Sequence, residues 1–88
     1  MANHVSALKR AKQNEARKMR NKAYRTKVRN AVKAVRLAVA GKDLEQAGQA
    51  LQSAVSVIDK VAGKGVLHHR TAARYIARLS AQVNSIAA

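Results

Sequence analysis

The chain contains no proline, and its four glycines (Gly41, Gly48, Gly63 and Gly65) all fall between residues 41 and 65. Everything before and after that window is free of the two residues that most readily stop a helix. Those flanking stretches are rich in Ala, Lys and Arg, which are good helix formers. The chain is therefore expected to be all-α, with its breaks within that window, at Gly41 and at Gly63-Lys64-Gly65. At 88 residues there is room for one small domain with a thin core. With no Phe or Trp, and with Tyr24 and Tyr75 as the only aromatic side chains, that core must be built from Ala, Val, Leu and Ile.

The first helix is expected to start after Ser6, a favourable N-cap, and to run to about Ala40, where Gly41 ends it. A helix of roughly 35 residues is about 50 Å long, more than the width of any bundle so small a chain can form. Part of it must project. From Val28 onward, Val28, Ala31, Val32, Val35, Ala38 and Val39 recur at helical spacing on one face, with Arg29, Lys33 and Arg36 off it. Before Val28 the bases Lys9, Arg10, Lys12, Arg17, Lys18, Arg20, Lys22, Arg25 and Lys27 surround the helix. Only a narrow strip of Ala16, Met19 and Ala23, with Leu8 at its edge, is apolar. A helix polar on all sides cannot be held by a core. The single domain 1–88 thus divides into a projecting basic helix, 6–27, and a bundle, 28–88. The projecting half is expected to dock on a partner and to fray without one.

Asp43 is the expected N-cap of a second helix, with Gln46 completing a capping-box-like pair. Leu44, Ala47, Leu51, Ala54, Val55, Ile58, Val61 and Ala62 form its apolar face. Gly63-Lys64-Gly65 turns the chain, and a third helix begins near His68 or His69. In it Ala72, Ile76, Leu79, Val83 and Ile86 have the 4,3,4,3 spacing of an antiparallel packing seam. Three amphipathic faces with short connections predict an up-down-up three-helix bundle with a long, projecting N-terminal helix.

Charge then names the kind of partner. The net charge is +14, and twelve of the eighteen Lys and Arg residues lie between Lys9 and Arg36, with Glu15 the only acid among them. A merely solvated helix mixes signs to form i,i+4 pairs. This one needs a polyanion, and a nucleic acid is the first candidate. Arg70, Arg74 and Arg78 form a second row at i, i+4, i+8, with neighbours about 6 Å apart and no acid at i±4. That reach suits phosphates along a backbone or across a groove. Lys64, Gly65 and His68 share the turn before that row, where glycine allows close backbone approach. Tyr24 has two open readings: stacking on an exposed base, or partial packing.

Other classes find less support. A nucleoid-type DNA-compacting protein would share the charge but more often carries Pro and Lys repeats or a dimerisation surface. A membrane-surface helix needs a continuous apolar face opposite its bases, which residues 9–27 lack. No apolar run approaches the ~20 residues that span a bilayer, and the N-terminus has no signal-peptide core, so a cytoplasmic location is expected. The absence of Cys removes disulfides and thiolate metal sites. His4, His68 and His69 do not make a plausible metal site, since adjacent helical positions point about 100° apart. The four carboxylates are dispersed and there is no phosphate-binding glycine loop, so neither catalysis nor a cofactor is expected.

Several tracts resemble a known family. The opening Ala2-Asn3-His4-Val5-Ser6-Ala7-Leu8-Lys9-Arg10 is similar to the start of the bacterial small-subunit ribosomal protein twenty (S-twenty) family. The tract Arg20-Asn21-Lys22-Ala23-Tyr24-Arg25-Thr26-Lys27 is similar too, as is Lys64-Gly65-Val66-Leu67-His68 followed by Ala72-Ala73-Arg74 and Arg78-Leu79. The tracts occur in family order over the whole chain. The resemblance implies a three-helix bundle with an extended first helix, bound as a monomer to small-subunit ribosomal RNA early in assembly. It implies contacts with the RNA's 5′ region and with a long helix near its 3′ end, among neighbouring ribosomal components. By that resemblance Asn3, Ser6, Lys9, Arg10, Arg20, Asn21, Lys64, Gly65, His68, Arg74 and Arg78 bind RNA. The basic positions Lys12, Arg17, Lys18, Lys22, Arg25, Lys27 and Arg70 join them on charge. The chain departs from the family at His69-Arg70-Thr71, where a basic or amide run is usual, and at Ile76, where a base is common.

Overall fold

A computed structural model describes residues 2–87, with side chains from residue 5 onward. It comprises three α-helices: α1 (Ala2–Ala40), α2 (Leu44–Gly63) and α3 (His69–Ala87). Short connections at residues 41–43 and 64–68 reverse the chain twice, giving an up-down-up bundle in which every pair of helices packs. The dimensions, 67 × 21 × 14 Å, are set by α1, whose 39 residues reach beyond both partners.

The core starts where the apolar face of α1 starts. Val28 and Val35 are buried together with Ala47, Ala54, Ile58 and Val61 of α2 and Ala72, Leu79 and Val83 of α3. Val35 and Ile58 are wholly inaccessible to solvent. Between residues 5 and 27 no side chain is buried, and only Asn21 and Tyr24 are half-covered. The projecting half of α1 therefore owes its helical form to its own hydrogen bonds and propensity, not to packing.

Three expectations need correction. Helix α1 begins at Ala2 rather than after Ser6, which lies inside it. Nothing upstream breaks the helix, and one interior serine costs only tenths of a kcal/mol. The buried face of α2 is rotated from the expected one: Ala50 and Val57 pack on the core, while Leu44 remains 49% exposed. Ala47, Ala50 and Ala54 let the neighbouring helices approach closely, so the bulkier Leu51 sits half-buried at the edge of the contact. The third correction concerns the first turn. Its left-handed residue is Lys42, at φ 55°, not Gly41. Lys42 N–H donates to Val39 O (3.0 Å) and Asp43 N–H to Ala38 O (3.2 Å), the paired bonds of a Schellman turn.

The remaining helix ends follow local chemistry. Asp43 caps α2, its carboxylate accepting from Gln46 N–H at 3.1 Å. Gly65 takes φ +77° after α2 and donates its N–H to Ala62 O at 3.0 Å. His68 caps α3: its carbonyl accepts from Ala72 N–H at 3.0 Å and its Nδ1 from Arg70 N–H at 3.1 Å.

Candidate nucleic-acid interface

Helical geometry decides what α1 presents once it leaves the bundle. Ser6, Arg10, Arg17 and Asn21 lie within about 60° of one another around the axis, on the same side as Val28 and Val35. The side of α1 that faces α2 and α3 inside the bundle thus continues outward as a polar wall. The end of the bundle supplies a second wall, the turn Lys64-Gly65-Val66. An open groove lies in the angle between the two. Arg17, Arg20, Asn21 and Tyr24 line it from α1, and Lys64, Gly65 and Val66 from the turn. Residues more than 40 positions apart in sequence are brought together here.

Tyr24 fixes the corner. Its ring is half-buried against the core, with Lys64 Nζ 5.5 Å and Lys27 Nζ 5.6 Å from its centroid. Cation–π contacts of this kind contribute about 0.5–1 kcal/mol at exposed sites and tether the turn to α1. Of its two readings, the structure favours the packed one. Gly65 is exposed, and a methyl group at its Cα would meet nothing within 4 Å. The left-handed backbone is therefore what requires glycine there, and its surface stays open to an approaching backbone.

The expected site residues divide by position. Arg17, Arg20, Asn21, Lys64 and Gly65 meet in the corner, and Ser6 and Arg10 extend it along α1. Lys9, Lys12, Lys18, Lys22 and Lys27 are exposed but turned roughly 80° or more from that line, towards the flanks and back of the helix. Asn3 is in α1, but its side chain lies outside the described residues, as does that of His4. His68 is exposed beside the turn. With its Nδ1 accepting from the backbone, Nε2 carries the proton and is left to donate outward. Its ring stacks on His69, centroids 4.4 Å apart and planes inclined by 27°. His68 precedes the helix, so the 100° argument applied to the pair does not hold. Among the described residues, no three His, Cys, Asp or Glu side chains are grouped to hold a metal.

Arg70, Arg74 and Arg78 are exposed along α3, away from the seam of Ala72, Leu79 and Val83. Ile76 is half-buried against the core, as its place in the seam requires. Arg25 is exposed at the start of a second, wider groove that sequence reasoning missed. Arg29, Lys33 and Arg36 carry its basic edge along α1. Their regular spacing after Arg25 was visible in the sequence, but only the packing of α3 shows that they border a concavity.

No helix among the described residues is long and apolar enough to cross a membrane. A family model described as Ribosomal protein S20 matches residues 2–84. The chain is 56% identical over 86 residues to the small ribosomal subunit protein bS20 of Nitratidesulfovibrio vulgaris, covering 98% of this chain and 99% of that one. The protein of the same name from Desulfovibrio desulfuricans is 54% identical over 88 residues, covering 100% and 99%. That from Syntrophobacter fumaroxidans is 50% identical over 86 residues, covering 98% and 100%.

Proposed function

The chain belongs to the ribosomal protein S20 family, and from that premise we propose that it binds small-subunit ribosomal RNA directly and aids assembly of the particle. As a family member it is a structural constituent of the small ribosomal subunit in the cytoplasm, not an enzyme. The finer reading concerns how it holds the RNA. An RNA strand lies in the corner between α1 and the Lys64-Gly65 turn, with the bundle as a rigid anchor and residues 6–27 as an arm.

One observation carries this reading: the bundle-facing side of α1 turns from apolar to Arg, Asn and Ser where the bundle ends, opposite a basic turn. An apolar continuation would call for another protein helix. A polar, cationic one calls for phosphates, which the planar guanidinium groups of Arg10, Arg17 and Arg20 can grip with two parallel hydrogen bonds each. Asn21 offers a donor and an acceptor to sugar or base, and His68 Nε2–H a donor at the mouth of the corner. Gly65 lets the strand come close. Arg74 and Arg78 engage a neighbouring part of the RNA from α3, and the lysines around the flanks and back of α1 add longer-range attraction for phosphates on other strands that pass the arm. Neighbouring ribosomal components complete its surroundings, and the chain acts as a monomer within the particle.

The experiment is a salt titration of binding to naked small-subunit ribosomal RNA, with duplex DNA of equal length as competitor. With roughly six to ten phosphates engaged, affinity should fall with a log–log slope of about −4 to −9. A slope near −1, or equal affinity for the DNA, would contradict the reading. The latter result would favour a DNA-compacting role instead.

A further inference from the structure

The second groove shares no lining residue with the corner, although Arg25 is next to Tyr24 and Leu67 next to Val66 in the chain. Its character is different. The floor is apolar, formed by Val32, Leu67 and the ring of Tyr75, all half-buried and packed against the core. One edge is the row Arg29, Lys33, Arg36, each exposed, and no carboxylate lines the groove. With Arg25 that row spans about 16 Å of helix axis. The other edge is α3. Arg78 lies one turn beyond Tyr75 and about 60° around from it, and Arg74 about 100°, both on the side away from the core. An apolar, aromatic floor is thus edged by a row of cations along α1.

We propose that this groove seats an unpaired stretch of ribosomal RNA, with a splayed-out base laid on Tyr75 and Leu67 and its phosphates held by Arg29, Lys33 and Arg36. The inference rests on the RNA-binding reading above and adds to it a second site with a different preference. A duplex presents mainly phosphate and sugar and would leave the apolar floor wet. An unstacked base covers that floor with its own π-face, as in other single-strand sites. Neighbouring cations at i,i+4 stand about 6 Å apart along α1, close enough to meet successive phosphates of one strand.

The test uses the full chain and naked small-subunit ribosomal RNA. In the variant Arg29→Gln/Lys33→Gln/Arg36→Gln all three changes are on exposed side chains, so the fold should hold, with circular dichroism as the check. Affinity should fall tenfold or more and the salt slope become shallower by about two to three. At least one unpaired base shielded from dimethyl sulfate by the wild-type protein should become reactive. Tyr75→Leu keeps an apolar side chain but removes the stacking ring, and should expose the same base with about a five- to 150-fold loss of affinity. If Tyr75→Leu fails to fold, the triple variant decides alone. Unchanged affinity and footprint for the triple variant would overturn the proposal, as would protection confined to paired nucleotides. So would normal binding of that variant to the naked RNA together with loss, in subunits reconstituted with the other ribosomal proteins, of a crosslink that the wild type makes to one of them, which would identify an acidic protein segment as the occupant. Failure of the underlying reading looks different: the wild-type chain itself would not bind the naked RNA. If the wild type binds and Arg17→Gln/Arg20→Gln weakens it while the triple variant does not, the second groove alone is refuted.

Discussion

Lys42 is held in the left-handed region at φ 55°, one residue after the glycine that would have suited that position. For an L-residue this conformation costs about 1–2 kcal/mol. Lys42→Gly removes that cost but gives the unfolded chain more freedom, an opposing effect of about 0.5–1 kcal/mol. The Lys42 side chain is exposed, so no packing is lost. Against an uncharged side chain that keeps its Cβ, the net expectation is a stabilisation of about 0.5–1 kcal/mol, which for a domain of this size raises Tm by roughly 2–8 °C. The lysine also places a cation near the C-terminus of α1, where it is favourable by about 0.3–1 kcal/mol. Lys42→Gln is therefore the proper reference, since it loses the same charge and keeps the Cβ. Thermal melts followed by circular dichroism at 222 nm should rank Gly above Gln. A Gly variant melting at or below the Gln variant would refute the turn geometry and the reasoning built on it.

Ile58 is fully buried between the three helices, so Ile58→Ala should cost about 2–5 kcal/mol, whereas Leu51→Ala at the half-buried edge of α2 should cost less than about 2; chemical denaturation of both variants checks the order. Residues 6–27 bury too little apolar surface to offset an ordering entropy of about 1–2 kcal/mol per residue. Amide hydrogen exchange should therefore find them weakly protected in the free protein and strongly protected on the RNA, and strong protection without RNA would contradict the docking-arm view.

Much of the fold was legible because its signals are local. Gly41 and Gly63-Lys64-Gly65 at the helix ends, Asp43 as a cap and the seam from Ala72 to Ile86 are each set without reference to another element. The rotated face of α2 was not legible, since the choice between Val55 and Val57 depends on how closely Ala47, Ala50 and Ala54 let the neighbours approach. The start of α1 misled for another reason: Ser6 is a good cap, yet a cap residue does not stop a helix that nothing upstream breaks. For the interface, charge identified the kind of partner, but twelve bases spread around a helix do not say which side matters. That requires knowing where the Lys64-Gly65 turn lands, and it lands against Tyr24. The row Arg29, Lys33, Arg36 went unassigned because a basic edge becomes a site only when another helix supplies the floor.

The central claim is positional: RNA lies in the corner between α1 and the turn, so charge on that side of the helix counts for more than charge on its back. Binding of two double variants to naked small-subunit ribosomal RNA, at one salt concentration near 0.15 M, tests this most directly. Arg17→Gln/Arg20→Gln removes two cations from the corner, and Lys12→Gln/Lys22→Gln removes two from the flank and back of the same exposed helix. Both lower the net charge equally, and every altered side chain is exposed. The account predicts a loss of affinity of about tenfold or more for the corner pair, with a salt slope shallower by about 1.5–2. For the back pair it predicts no more than about a threefold loss, because the remaining long-range attraction is screened within roughly 8 Å. Equal losses for the two pairs would show that α1 acts as an undirected polycation and would contradict the corner as the seat of binding.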